Sequence, residues 1–206
     1  NGPANTLNGE GRLGEAPFEG EAPDHYDYDP ERPVPSVGGQ WMMLEDSGPW
    51  DRRSVQRRDD VLVYDTGPLA DDLEVVGPVT LTLFASSSAL DTDFTGTLSD
   101  VHPDGKAIML TEGIIRARFR DSFEEPELME PGQVYEIEVD MWETGNLFKA
   151  GHSLRLEVSS SNFPRFERNQ NTGTQPGLDA DIAVASQTIY HDAAHASYLT
   201  LPVMGG

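Results

Sequence analysis

The chain has 206 residues and no cysteine, which excludes disulfides, thiolate nucleophiles and zinc–thiolate centres. With 36 acidic residues against 14 basic ones the formal net charge is −22, a balance that repels phosphate backbones and argues against a nucleic-acid partner. At 37% hydrophobic the composition supports a packed core, and no apolar run approaches the roughly 18 residues of a membrane-spanning helix, so no membrane partner is expected.

Among the basic residues only Lys106 and Lys149 are lysine. A charge of this size destabilises a compact state by self-repulsion unless salt screens it, and at molar salt the screening length shrinks to about 3 Å. Scarce lysine with abundant Asp and Glu therefore reads as adaptation to the cytoplasm of a high-salt organism, the plainer reading being an ordinary acidic surface. The chain opens at Asn1-Gly2 without Met and without a basic-then-apolar segment. The expectation is a piece of a longer polypeptide with no signal peptide in view.

Residues 1–40 are rich in Gly, Pro, Asn, Asp and Glu. They are expected to be an irregular leading segment that wraps a surface through Leu13, Phe18, Tyr26 and Tyr28, packing on the rest of the chain and on a domain absent from it. The remaining stretch, 41–206, is expected to be one domain. Residues 40–44 (QWMML) are a brief apolar run, and 46–60 carry Arg52, Arg53, Arg57 and Arg58, which in so acidic a chain should meet carboxylates. Residues 61–65 (VLVYD) read as a strand.

The organising block is 75–120. Val79, Leu81 and Leu83 alternate with Thr80, Thr82 and Phe84, the period of a strand. Asp91-Thr92-Asp93 makes a turn, residues 94–101 a second strand, and His102-Pro103-Asp104-Gly105 a hairpin turn in which Gly takes positive φ. A third strand follows over 107–120 with a break at Thr111-Glu112. Pro126 and Pro131 bar a long helix in the next loop. Residues 134–141 place Tyr135, Ile137 and Val139 on one face, with Glu136, Glu138 and Asp140 on the other. Residues 152–159 place Leu154, Leu156 and Val158 together, and 186–191 with 196–203 read as a final strand pair around Asp192–His195. About eight to ten strands with no amphipathic helix predict an all-β jelly-roll sandwich.

Catalytic signatures are missing. There is no G-x-S-x-G elbow, no Gly-rich phosphate loop and no H-E-x-x-H. The five histidines are scattered, and His191 and His195 flank an expected turn rather than sharing a helix face, so no metal site is expected. The calcium-loop pattern is absent. The runs Ser86–Ser88 and Ser159–Ser161 sit at strand ends, where hydroxyls satisfy turn backbone. No catalytic residue and no cofactor are expected.

Two stretches, ASSSALDTDFTGTLSDVHPDGKAIMLTEGIIRARFR and GHSLRLEVSSSNFPRFERNQNTG, together with ANTLNGEGRL and PDHYDYDPERPVPSVGG, strongly resemble the C-terminal domain of the cocaine esterase / X-Pro dipeptidyl-peptidase group of α/β-hydrolases. The resemblance implies a galactose-binding-like jelly roll that follows an α/β-hydrolase domain and its helical cap. Those upstream domains of the same polypeptide would be its partners and would carry the Ser-Asp-His triad. It also implies that apolar residues just after Gly38-Gly39 line the substrate pocket. The matching positions are Trp41, Met42 and Met43, where cocaine-degrading relatives carry Leu and Phe. The alternative is that QWMML is an edge of the core or of a domain interface.

The resulting expectation is a non-catalytic domain that completes the pocket of a serine hydrolase, of ester or X-Pro dipeptidyl-peptidase type, and buttresses its catalytic domain. The rivals are a free-standing carbohydrate-binding module, which would want a flat aromatic platform that Trp41, Trp50 and Trp142, far apart in sequence, do not suggest, and an acidic structural β domain. Arg116, Arg118 and Arg120 alternate with apolar residues, so two arrangements stand open. In one they ladder against Glu136, Glu138 and Asp140 on a neighbouring strand; in the other they face the absent hydrolase domain.

Overall fold

The computed structural model describes residues 3–18, 20–40, 47–175, 178 and 180–205. The strands run in chain order as β1 Gly11–Arg12, β2 Asp24–Tyr28, β3 Leu62–Asp65, β4 Leu73–Ser87, β5 Asp93–Val101, β6 Ala107–Arg116, β7 Tyr135–Phe148, β8 Ser153–Ser159, β9 Ala185–Tyr190 and β10 Tyr198–Thr200. Among the described residues the only helical pieces are the 3-10 turns Arg52–Ser54 and Ala117–Phe119. One sheet has the order β1-β3-β8-β5-β6; the other has β10-β4-β9-β2, with β7 on the remaining edge of β4. This is the expected all-β sandwich.

Alternation builds the core between the sheets. In β7, Ile137, Val139 and Met141 are buried while Glu136, Glu138 and Asp140 are exposed, as the period of two dictates. Val79, Leu81, Leu83 and Ala85 of β4 meet Phe94 and Leu98 of β5 and Leu154, Leu156 and Val158 of β8 in one apolar cluster. Every residue of β5 is buried, because the outer face of its sheet is also covered. Val34 and Val37 pack there with Val55, Val61 and Val63.

The 15-residue β4 is the common element of its sheet. Leu73–Ala85 pair with β7 on one edge. The other edge is shared end to end by β10, at Thr80–Thr82, and by β9, at Phe84–Ser87. The expected pairing of the last two strands with each other is therefore corrected: β9 has β4 on one edge and β2 on the other, which leaves no edge for β10.

The leading segment is also more regular than its composition predicts. Asp24–Tyr28 is an edge strand antiparallel to β9. Tyr26 and Tyr28 are buried in the main core, and their hydroxyls meet Ser160 Oγ at 2.9 Å and the Asn169 carbonyl at 3.1 Å. Such pairing is what permits a phenol to be buried.

The ladder against β7 does not occur, and the arginines find carboxylates elsewhere in this chain. The strand stops at Arg116, because the Ala117 N–H turns to the Thr92 carbonyl at 2.8 Å and starts a 3-10 turn. Arg116 pairs with Asp93 directly across the β5–β6 ladder at 2.9 Å, and Arg118 pairs with Asp91 at 2.9 Å. Arg120 reaches Asp121 at 3.2 Å and lies over the Tyr135 ring. The acidic face of β7 belongs to the other sheet, with Glu138 opposite Thr82. Of the earlier arginine pairs, Arg52 meets Glu157, Arg53 meets Asp51 and Arg58 meets Asp60.

Candidate functional site

Gly38 and Gly39 mark the site. Both are buried and both have positive φ, 74° and 109°. Gly39 exchanges two backbone hydrogen bonds with Gly48, at 3.0 and 2.9 Å, and so pinches the two ends of the loop 40–47 together. A Cβ on Gly39 would fall 2.2 Å from Glu112 Oε1 and 2.9 Å from Arg165 Nη1. Only glycine allows the backbone both this conformation and this approach.

Beneath the pinch lies a buried polar network. Glu112 of β6 pairs with Arg165 and accepts a hydrogen bond from Asn162 Nδ2 at 2.6 Å. Glu112 and Asn162 are both buried. The chain that carries Asn162 and Arg165 is stitched to the leading segment. Phe163 N–H donates to the Val34 carbonyl at 2.9 Å, Ser36 N–H to the Phe163 carbonyl at 2.7 Å, and Arg165 N–H to Ser36 Oγ at 3.1 Å. Two stretches some 129 residues apart thus hold one floor.

Beside this floor an open cavity of about 480 Å³ is lined by Ile114, Asp140, Trp142, Arg165 and Phe166. Trp142 is set there by a bulge in β7, where Pro78 faces Glu143 and Thr80 faces Asp140, so that two residues oppose one. Its φ of 64° is rare for a bulky residue. The result is that Met141 points into the core while Trp142 stays 55% exposed, a use of a bulge to re-aim a side chain. The Arg165 guanidinium lies 5.0 Å over the Phe166 ring.

Trp41, Met42 and Met43, the residues expected to wall the pocket, lie outside the described residues. What the structure gives is their anchorage: Gln40 on one side, Ser47 on the other, and the Gly39–Gly48 pinch between. Glu112, Asn162 and Arg165 are not singled out as site residues by the sequence, and Trp142 is named only for the carbohydrate-binding rival. The signals available were the Gly38-Gly39 pair itself and the Asp140–Met141–Trp142 break in alternation after Asp140.

The arrangement offers recognition surface rather than bond-breaking chemistry. The serine runs are spent on structure: Ser159 Oγ meets Thr95 Oγ1 at 2.6 Å, Ser160 meets Tyr26, and Ser161 accepts from the Val34 amide. His25 faces Thr188 at 2.9 Å as a cross-strand pair. His191 and His195 occupy separate surroundings, His191 against Asp24 at 3.1 Å and His195 against Asp192 and the rings of Phe84 and Tyr190. Among the described residues no helix is long and apolar enough to cross a membrane.

Comparison with known proteins agrees with this geometry. Over 98% of its length the chain is 45% identical to the cocaine esterase of Rhodococcus sp. (strain MB1 Bresler), of which it covers 36%. It superimposes with a TM-score of 0.86 on an aminopeptidase from the marine sediment archaeon Thaumarchaeota archaeon, at 28% identity and covering 98% of this chain and 37% of that one. An α-amino acid ester hydrolase gives a TM-score of 0.83 at 29% identity, covering 95% of this chain and 35% of that one. The chain thus spans about a third of the length of the relatives it matches. The family model described as the X-Pro dipeptidyl-peptidase C-terminal non-catalytic domain matches residues 4–200, and the chain belongs to that family.

Proposed function

We propose that this domain serves a serine hydrolase acting on ester or X-Pro peptide bonds, by completing the substrate pocket and buttressing the catalytic domain. The upstream α/β-hydrolase and cap of the same polypeptide would be its partners and would supply the nucleophile, base and oxyanion donors. The observation that carries the reading is the Gly39–Gly48 pinch, which closes above the Glu112–Arg165 floor beside an open, partly apolar cavity; Trp41, Met42 and Met43 follow that pinch directly in the sequence. Methionine adapts to irregular apolar shapes and suits such a wall. Part of the leading segment would then pack on the hydrolase as well as on the sandwich. The host would be a high-salt organism and the site its cytoplasm, with neither nucleic acid nor membrane as a partner.

The test has two arms. The 206-residue chain alone should not turn over p-nitrophenyl acetate or an X-Pro anilide above the buffer rate. In the polypeptide that joins it to its upstream hydrolase, Met42→Ala and Met43→Ala should change KM for bulky acyl groups more than for acetyl. Turnover by the chain alone, or variants that leave acyl preference untouched, would count against the reading.

A further inference from the structure

Three metal-ligating side chains converge where the β5–β6 hairpin meets the start of β8. Asp100 is the penultimate residue of β5, His102 opens the hairpin turn, and His152 immediately precedes β8. The antiparallel β5–β8 ladder sets Val101 opposite Ser153, so residues 102 and 152 emerge side by side although they are far apart in sequence. The two imidazole rings lie 4.5 Å apart, centroid to centroid, tilted by 33°. His152 Nδ1 is 2.8 Å from Asp100 Oδ1, and His102 Nε2 is 3.9 Å from Asp100 Oδ2. The carboxylate thus offers one oxygen to each ring. One donor atom from each residue lies within 4.8 Å of the other two.

The backbone under each donor is fixed. Asp100 is paired on both sides, with Ile108 and Leu154. His102 N–H donates to the Lys106 carbonyl at 2.9 Å, and the Gly105 N–H donates to the His102 carbonyl at 2.8 Å. His152 N–H donates to the Lys149 carbonyl at 2.9 Å, and its carbonyl accepts from Leu69 at 2.8 Å. The neighbouring carboxylates are already engaged: Asp104 with Lys106 at 2.8 Å and Asp72 with Lys149 at 2.9 Å. Asp100, with a side chain only 9% exposed, is left facing two imidazoles.

We propose that Asp100, His102 and His152 form a binding site for one divalent transition-metal ion, zinc fitting best, that clamps the hairpin to the start of β8. Two imidazole nitrogens and one carboxylate oxygen are a borderline-soft donor set, suited to zinc, cobalt or nickel and poorly suited to calcium or magnesium, which take oxygen cages. Tetrahedral zinc, bound at roughly 2.0–2.2 Å, separates its ligands by about 3.3 Å. The observed separations, 2.8 Å from His152 Nδ1 to Oδ1 and 3.9 Å from His102 Nε2 to Oδ2, lie on either side of that value, and one donor atom of each residue already lies within 4.8 Å of the other two, so rotation of the carboxylate and the two rings would close the site. Three protein ligands leave a fourth position for water, on the side where His102 is partly open to solvent.

The experiment titrates the 206-residue chain with zinc chloride by calorimetry and with cobalt chloride by visible absorbance. One ion per chain is expected, with a cobalt d–d spectrum of nitrogen and oxygen ligation and a melting temperature that rises with either metal and not with calcium. His102→Ala and His152→Ala should each weaken zinc binding by at least about tenfold, the scale on which even supporting residues of metal sites act. His195→Ala should leave it unchanged. His102 sits on an exposed turn, so its variant keeps the fold, and circular dichroism checks that it does. Absent binding, binding that survives both ligand variants, or equal loss in His195→Ala would each overturn the proposal.

Discussion

Arg52 and Glu157 meet inside the protein at 2.8 Å, with side chains only 4% and 3% exposed. Gln56 Nε2 adds a hydrogen bond to the same carboxylate at 2.9 Å, and Arg52 Nη1 donates to the Val37 carbonyl at 2.9 Å. The pair pins the 51–60 segment and the leading segment to the outer face of β8. Breaking a buried pair leaves one charge uncompensated, so Arg52→Ala should cost about 3–5 kcal/mol. Arg52→Met with Glu157→Leu should recover most of that loss. Urea unfolding of the three variants measures both effects. Because the pair is shielded from solvent ions, the single-variant loss should persist in molar salt.

Stability should fall as pH rises above about 6.5, through His191. Its imidazole is held above the ordinary value, first by the hydrogen bond to Asp24 and then by the charges of Asp24, Glu21 and Asp192, against its own burial. Burial would push the Asp24 carboxyl up, but hydrogen bonds from His191, the Ala4 amide and Tyr64 outweigh it and hold it below its usual 3.8. A raised histidine contributes stability that is complete below its unfolded value, near 6.5, and lost as pH climbs through the folded one. The depressed Asp24 contributes above 3.8 and loses its share as pH falls through its folded value. Melting temperatures between about pH 5 and 9 should therefore decline on the alkaline side. His191→Gln should flatten that decline, and an unchanged slope would refute the assignment.

Trp142 should tolerate glycine better than alanine. At a φ of 64° every L side chain pays a steric penalty that glycine escapes. Trp142→Gly should exceed Trp142→Ala in stability by about 1–2 kcal/mol. Equal unfolding midpoints for the two would show that the bulge relaxes once the indole is gone.

Screening should stabilise the whole fold. The charge of −22 repels itself at low salt, and raising potassium chloride from about 0.1 to 3 M shortens the screening length from about 10 Å to under 3 Å. The melting temperature should rise across that range; a flat or falling curve would remove the high-salt reading.

Local pattern carried the elements whose fate is decided locally. The His102–Gly105 turn forms as its residues dictate, with His102 N–H on the Lys106 carbonyl and Gly105 at a φ of 83°, and β7 keeps its alternation from Tyr135 to Met141. Elements decided by distant partners were not legible. Asp24–Tyr28 reads as an acidic-aromatic loop, and is a strand because β9 offers it an edge. Arg118 leaves the strand because Thr92 offers Ala117 a carbonyl. The site divides in the same way. Gly38-Gly39 announces itself in the sequence, whereas Glu112, Trp142, Asn162 and Arg165 become neighbours only after both sheets have closed.

The pairing of β2 with β9 also sets a timetable. His25 and Thr188 are opposed across the ladder but separated by 163 residues. Synthesis at about 5–20 residues per second leaves β2 waiting roughly 8–30 s for its partner to be made. Through that interval Tyr26 and Tyr28 have no edge to join, and the entropy of closing so long a loop is still unmet. The nascent chain can assemble β3 to β8, which close among themselves, but β2 must stay unseated until β9, Ala185–Tyr190, begins to emerge. A ribosome stalled before Ala185 would hold a sandwich with two core tyrosines still in water.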